Sequence, residues 1–301
     1  MTDLAILYEH PEWFAPLFAA LDRRGVDYCA IRPEGAWDPA GSPPPARVVF
    51  NRIAMSSFLR SGEHPIFHSI ALLDHWRRGG AAIVNGPEVL AIDSSKARQL
   101  SLIAGLGLAV PRTRVVHRAA DVPDAAQAIG FPLVVKANIG GSGAGIVRFD
   151  SLAELRAVIA EGALPRSIDG VLLVQDFVPA RDGTITRIET LDRRFLYALD
   201  VAGGGAFDLC PADACAAPGA PAIRMQAVGP GATLRDAAER IARAVDLDVG
   251  GVEVMIDDRD GTPRFYDINA LSNFVARPID VLGWDPHERL VDYLLERIER
   301  L

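Results

Sequence analysis

The sequence predicts a mixed α/β chain in three units, and three observations carry that reading. Over residues 1–93, short apolar runs alternate with helical stretches, which implies a parallel sheet with helices on its faces. Over residues 94–168, a helix leads into strands that flank the run Gly140-Gly-Ser-Gly-Ala-Gly145, a small α+β unit with a glycine-rich loop. Over residues 169–301, strands and helices converge on a hairpin, predicting an antiparallel sheet in a second α+β unit.

In the first unit Leu4–Glu9 is a buried-type strand. Trp13–Arg24 reads as a helix with Phe14, Leu17, Phe18 and Leu21 on one stripe, stopped by Gly25. Val26–Ile31, Arg47–Asn51 and Ala81–Asn85 are the next strands, with a loop from Pro33 to Pro45 and a helix over Phe67–Arg78. The first strand-to-helix turn lacks a glycine fingerprint, so this unit is Rossmann-like in shape only. Asp93 and Ser94 suit the cap of a helix running from Lys96 to about Ala104.

Strands at Arg114–His117 and Phe131–Ile139 enclose a short helix near Val122–Ile129. Strand Ile146–Phe149 follows the glycine run, and Ser151 with Glu154 forms a capping box that opens a helix. Val171–Val178, Thr186–Leu191 and Arg194–Val201 are strands, and residues 202–232 read as a long loop. Leu234–Val245 is a helix, Gly250–Phe274 a hairpin and Pro286–Arg300 a closing amphipathic helix.

Composition narrows the function. A net charge of −8 argues against a nucleic-acid binder, whose footprint is a basic face. No apolar run approaches the ~20 residues of a membrane span. The first residues lack the basic and apolar regions of a signal peptide, so a cytoplasmic protein is expected. Three cysteines, Cys29, Cys210 and Cys215, make no disulfide framework, and with no histidine cluster near they read as packing or loop thiols.

Chemistry concentrates in the last hairpin. Side chains alternate along a strand, so Asp267 and Asn269 share a face, and a turn centred on Asp260 sets Glu253 opposite Asp267. Two carboxylates and an amide oxygen are hard ligands suited to Mg²⁺ that also holds phosphates; the competing reading is an acidic hairpin facing solvent. The glycine run precedes a strand, whereas a dinucleotide fingerprint opens a helix. It is either a loop folding its N–H groups over a triphosphate or a plain turn. Lys136 interrupts an apolar strand and needs an anionic partner if buried. Lys96 sits in the first turn of a helix, where the dipole disfavours a cation; it is a phosphate ligand or an exposed lysine. Gln175 and Asp176 mark a strand leaving the core, either toward an adenine edge or into an ordinary turn. Arg187 lies on one strand face with Glu189, ready for a carboxylate or phosphoryl group, or for a plain ion pair.

The order of these elements resembles the ATP-grasp superfamily, in particular its glutathione synthetase/RimK-like branch, over nearly the whole chain. The residues carrying the likeness are Asn85 and Lys96 in VNGPEVLAIDSSK, Lys136 with GGSGAG, the hinge VQDFV, Arg187, VEVMI and FYDINALSNF. The resemblance implies a pre-ATP-grasp domain, a lid and a metal-bearing domain over the three units. It implies that Lys96 and Lys136 bind ATP phosphates beneath Gly141, Ser142, Gly143 and Gly145. Gln175, Asp176, Phe177 and Val178 would carry the adenine and Asp182 the ribose. Glu253, Asp267 and Asn269 would hold Mg²⁺ or Mn²⁺, and Arg187 would contact the acyl phosphate. Lys136, Arg187 and Asn269 are then the expected catalytic residues.

Two departures stand out. Asp267-Ile268-Asn269 replaces the usual Glu-x-Asn, and Ala-Leu-Ser-Asn-Phe follows it where a proline or glycine turn is common. The implied activity is an ADP-forming carboxylate–amine ligase acting on small-molecule acids and amines, amino acids or a peptide, with a homodimer a common state. The alternatives are a degenerate ATP-binding regulator, or an ATP-grasp enzyme of ester formation or phosphoryl transfer.

Overall fold

The computed structural model describes residues 2–141, 143, 145–203 and 224–301 and arranges them around three sheets. The first holds β1 (Leu4–Tyr8), β2 (Tyr28–Ile31), β3 (Val48–Arg52) and β4 (Ala82–Val84), all parallel in the order β2-β1-β3-β4. Helix α1 (Pro11–Arg23) buries Phe14, Leu17 and Leu21, the stripe read from the sequence, and α2 (Ile66–Arg78) buries Leu72, Leu73 and Trp76.

The chain then departs from expectation. Residues Pro87–Asp93 form a helix of their own, α3, too short to show a period in the sequence and opened by a proline whose missing N–H costs nothing there. Helix α4 (Lys96–Gly105) is capped by Ser95, whose hydroxyl accepts the Arg98 N–H at 3.3 Å. Asp93 and Ser94, the expected caps, therefore belong to the end of α3.

The second sheet, antiparallel, orders β5 (Thr113–Val116), β8 (Leu172–Asp176), β6 (Leu133–Ala137) and β7 (Ile146–Phe149) as β5-β8-β6-β7. Helices α5 (Val122–Ile129) and α6 (Leu152–Ala160) cover it with Val122, Ile129 and Leu155 inward. Ser151 accepts the Glu154 N–H at 3.2 Å, while the Glu154 carboxylate reaches back to the Asp150 N–H at 2.9 Å.

The third sheet is antiparallel in the order β11-β10-β9-β12-β13. Its strands are β9 (Ala180–Leu191), β10 (Arg194–Ala202), β11 (Arg224–Val228), β12 (Val249–Asp257) and β13 (Pro263–Asn269). Strand β11 corrects part of the expected 202–232 loop. It is a polar edge strand, Arg-Met-Gln-Ala-Val, defined by pairing with β10 and carrying little apolar signal of its own. Cys210 and Cys215 lie outside the described residues; Cys29 is a half-buried free thiol on β2.

Helix α7 (Ala232–Val245) packs Ala238, Ile241 and Ala242 on one face of this sheet. On the other face Leu199 and Val201 meet α9 (Pro286–Glu299) and the first unit, where Leu4, Ile6 and Phe50 join the same core. A short helix, α8 (Pro278–Leu282), leads into α9. Among the described residues no helix is long and apolar enough to cross a membrane.

Candidate active site

The hairpin β12–β13 has the register read from its turn: Glu253 faces Asp267 and Gly251 faces Asn269. A bulge next to Glu253 makes Tyr266 the extra residue, and Tyr266 hydrogen-bonds the Glu253 carboxylate. Glu253 Oε1 also accepts from Asn269 Nδ2 at 3.1 Å and from Arg187 at 3.2 Å. Arg187 stands on β9, the neighbour of β12, and donates through Nε to Glu189 at 2.6 Å. The arginine thus makes the strand ion pair with Glu189 and at the same time reaches the acidic hairpin.

Gly251 is required here, because a Cβ would sit 2.8 Å from Arg187 Nε and 2.9 Å from Glu189 Oε1. Burial pushes the Glu253 carboxyl up, the Asp267 charge adds to this, and Arg187 opposes it. Two half-buried carboxylates side by side, with an amide oxygen beside them, form a donor set that fits a hard divalent cation.

Lys96 Nζ pairs with Asp267 Oδ1 at 2.6 Å. Lys136 is 4% exposed on β6, and its ammonium has no ion pair or hydrogen bond among the described residues. Burial, with the Lys96 charge adding, pushes its ammonium down to about 7, while Asp267 and Glu253 pull the other way. Beyond Lys136, Gly143 and Gly145 hold left-handed φ of 69° and 73°. A Cβ on Gly141 would lie 2.8 Å from the Ser56 side chain, so the loop rests on the first unit. Ser142 lies outside the described residues.

At the hinge, Gln175 donates to Thr113 Oγ1 at 2.8 Å, and Asp176 binds Arg259 at 3.0 Å. These two side chains are held by the protein itself. The Arg148 guanidinium lies over the Phe177 ring, 4.2 Å from its centroid. One cavity of about 630 Å³ joins Lys96, Lys136, the hinge from Gln175 to Val178, Arg187, Glu253, Asp267 and Asn269. Gly141 and Gly143 line it; Gly145 does not. Asp182, the expected ribose acid, is exposed at φ 54° and lies outside the lining, where Ala180 and Gly183 form the wall.

The cavity also gathers residues that sequence reasoning passed over: Trp13, Met55 and Ser56 of the first unit, Asp93, and Arg148. Arg148 sits on β7 opposite Val134, and a strand assignment alone could have raised it. Asp93 was hidden by its reading as a helix cap. Trp13, Met55 and Ser56 reach the cavity only because the first unit packs against the others.

A family model of the RimK-like ATP-grasp domain matches residues 93–281, more than half of the chain. The chain belongs to this family. This RimK-like ATP-grasp protein is 29% identical over 143 residues to a probable alpha-L-glutamate ligase 2 of Shewanella frigidimarina, a match covering 46% of each chain. It is 27% identical over 214 residues to a ribosomal protein bS6–L-glutamate ligase of Shigella flexneri, covering 70% of this chain and 67% of that one. The chain thus spans between about half and two thirds of the length of these relatives. The ATP-grasp ligase PsnB, solved with a phosphomimetic variant of its minimal precursor, Mg and ADP, matches with TM-score 0.69 at 18% identity, over 99% of this chain and all of that one. The shared fold is that of ATP-grasp ligases.

Proposed function

We propose that this protein is an ATP-dependent carboxylate–amine ligase that forms an amide through an acyl phosphate and releases ADP and phosphate. One observation carries the reading: a single cavity joins a buried, unpaired lysine to an acidic hairpin and to a buried arginine bonded to that hairpin. The named activities of the relatives support it, as do Mg and ADP in the PsnB complex.

In this proposal residues 1–93 supply part of the acceptor wall, residues 94–168 the lid, and residues 169–301 the metal site. ATP lies between the last two, its adenine at Gln175–Val178 and its phosphates at Lys96, Lys136 and the glycine loop. Glu253, Asp267 and Asn269 would hold Mg²⁺ (or Mn²⁺), which would supply charge to offset that of the phosphates. Lys136 brings a charge with no competing partner. Lys96, bound to Asp267, ties the phosphate and metal regions together.

A substrate carboxylate oxygen takes the γ-phosphoryl group as its bond to ADP breaks. Arg187, held by Glu189, stabilises the acyl phosphate formed. The amine nitrogen then bonds to the acyl carbon and phosphate leaves with the bonding pair. The nitrogen gives up its protons to phosphate and solvent. The same reading takes small-molecule acids and amines, amino acids or a peptide as substrates.

Purified protein is expected to release ADP only with a matching acid and amine, and Lys136→Ala is expected to abolish this. Turnover retained in that variant would overturn the assignment. Product mass separates an amide from an ester or a phosphorylated product. The family likeness also supports a homodimer, which light scattering checks.

A further inference from the structure

Arg52 ends β3 and is 2% exposed. Its guanidinium lies over the rings of Phe50 and Phe14, 4.8 and 5.1 Å from their centroids. Burial opposes its charge, and Glu189 and Asp93 favour that charge from nearby without pairing with it. Nη2 donates to the Ser272 carbonyl and, at 3.2 Å, to Asn273 Oδ1. Nε and Nη1 are buried with no hydrogen-bond partner among the described residues.

The segment after β13 is fixed from several sides. Besides Arg52, Ser272 Oγ accepts the Phe274 N–H at 3.1 Å, and the Tyr197 hydroxyl accepts the Val275 N–H at 3.0 Å. Phe274 is held at a left-handed φ of 58°, which a bulky residue takes up only when its surroundings impose it. Asn273 and Phe274 line the cavity. An arginine only donates, so the Asn273 amide turns its oxygen to Arg52. The amide Nδ2 has no hydrogen-bond partner among the described residues and is not shut away from solvent. The cavity wall thus carries an N–H donor that a buried cation both orients and polarises.

We propose that Asn273 donates from Nδ2 to an oxygen of the substrate carboxylate that is activated, and that Arg52 is the positioning residue that fixes this donor. The proposal rests on the ligase reading and deepens it. An N–H donor has nothing to offer an ammonium, and on a neutral amine it would occupy the lone pair that must attack. The group it suits is an oxygen acceptor. Besides ATP, the carboxylate is the oxygen acceptor that the proposed reaction always requires.

Hydroxylamine, a neutral nucleophile, can stand in for the amine. Its nitrogen bonds to the acyl carbon as phosphate leaves with the bonding pair, and the proton it sheds passes to solvent. Supplied with ATP, Mg²⁺, hydroxylamine and a panel of amino acids and short peptides, the unaltered protein should form a hydroxamate from its carboxylate substrate. In Asn273→Ala, KM for that carboxylate should rise at least about tenfold, with KM for ATP and for hydroxylamine unchanged. Arg52→Met should raise the same KM. Added to Asn273→Ala it should raise it no further, since Arg52 acts through Asn273. Asn273→Ala leaves the bond from Arg52 to Ser272 in place and carries the test if Arg52→Met does not fold.

An unchanged KM for the carboxylate in Asn273→Ala would overturn the proposal, as would a rise confined to ATP or to hydroxylamine. A loss shared equally by all three substrates would overturn it too and leave Asn273 a structural residue. A further rise in the double variant would remove Arg52 from the proposed role. No hydroxamate from the unaltered protein with any carboxylate of the panel would overturn the ligase reading itself, and this proposal with it.

Discussion

Lys136 concentrates the logic of the site in one side chain. Its ammonium is desolvated on a strand and given no anion by the protein among the described residues, so the folded state bears a cost that a ligand phosphate can offset. Lys136→Met is therefore expected to stabilise the protein by about 1–3 kcal/mol and to lower ADP release by about 10²–10³-fold, the effect of removing one preorganised donor. Urea unfolding and coupled ADP assay check the two halves. The lysine was legible in the sequence because its apolar neighbours announce burial. The partner of Lys96 was not, because Asp267 lies 171 positions away and only folding brings it within 2.6 Å.

At the scale of elements, the hairpin β12–β13 and its neighbour β9 build the site by register. Gly251 gives up its side chain so that the Arg187 guanidinium can lie across it. Gly251→Ala is expected to displace Arg187 and lower the amide-forming rate by more than it changes KM for ATP; steady-state kinetics with ATP varied checks this. The far end of the same hairpin is held by Asp257, buried, which accepts from Arg259 at 2.8 and 2.7 Å and from Arg264 at 2.7 Å. These guanidinium groups hold its carboxyl well below the usual range. An unfolded aspartate takes up a proton near pH 3.9. The folded one does so lower, so its contribution is present above about pH 4 and is lost as pH falls below that. The urea midpoint should drop between pH 5 and pH 3, and Asp257→Asn should lower the midpoint at pH 7 and flatten that drop. Period two placed Asp267 beside Asn269, and a turn centred on Asp260 set Glu253 opposite Asp267. The bulge at Tyr266 left no trace in the pattern, since one extra residue next to a turn alters no alternation beyond it.

For the molecule as a whole, Asn85 is the clamp. At φ 53° its amide donates to Val249 O at 2.7 Å and Ala270 O at 2.8 Å, and its oxygen accepts the N–H groups of Asp248 and Val249 at 3.1 and 3.2 Å. The first sheet is thereby fastened to the start of β12 and the end of β13. Asn85→Ala leaves four buried backbone groups unpaired and should cost about 3 kcal/mol. It should also lower ADP release, because Ala270 adjoins Asn269 and holds Asp93. Chemical denaturation and activity measured together check this. Arg23 and Arg24 of α1 reach Glu288 and Asp292 of α9 on the surface, pairs of the kind that contribute little.

The sequence by itself determined the parallel first sheet, the antiparallel hairpin, the glycine loop between antiparallel strands and the residue types gathered at the hairpin. Those features follow from the period of apolar residues and from turn chemistry, which act over a few positions. Tertiary structure alone decided that Lys96 binds Asp267, that Asp176 turns to Arg259, that β11 is a strand, that Asp182 stays outside the cavity and that Asp93 lies within it. Each of those outcomes depends on which distant surfaces pack together, and no local pattern of residues encodes that packing on its own.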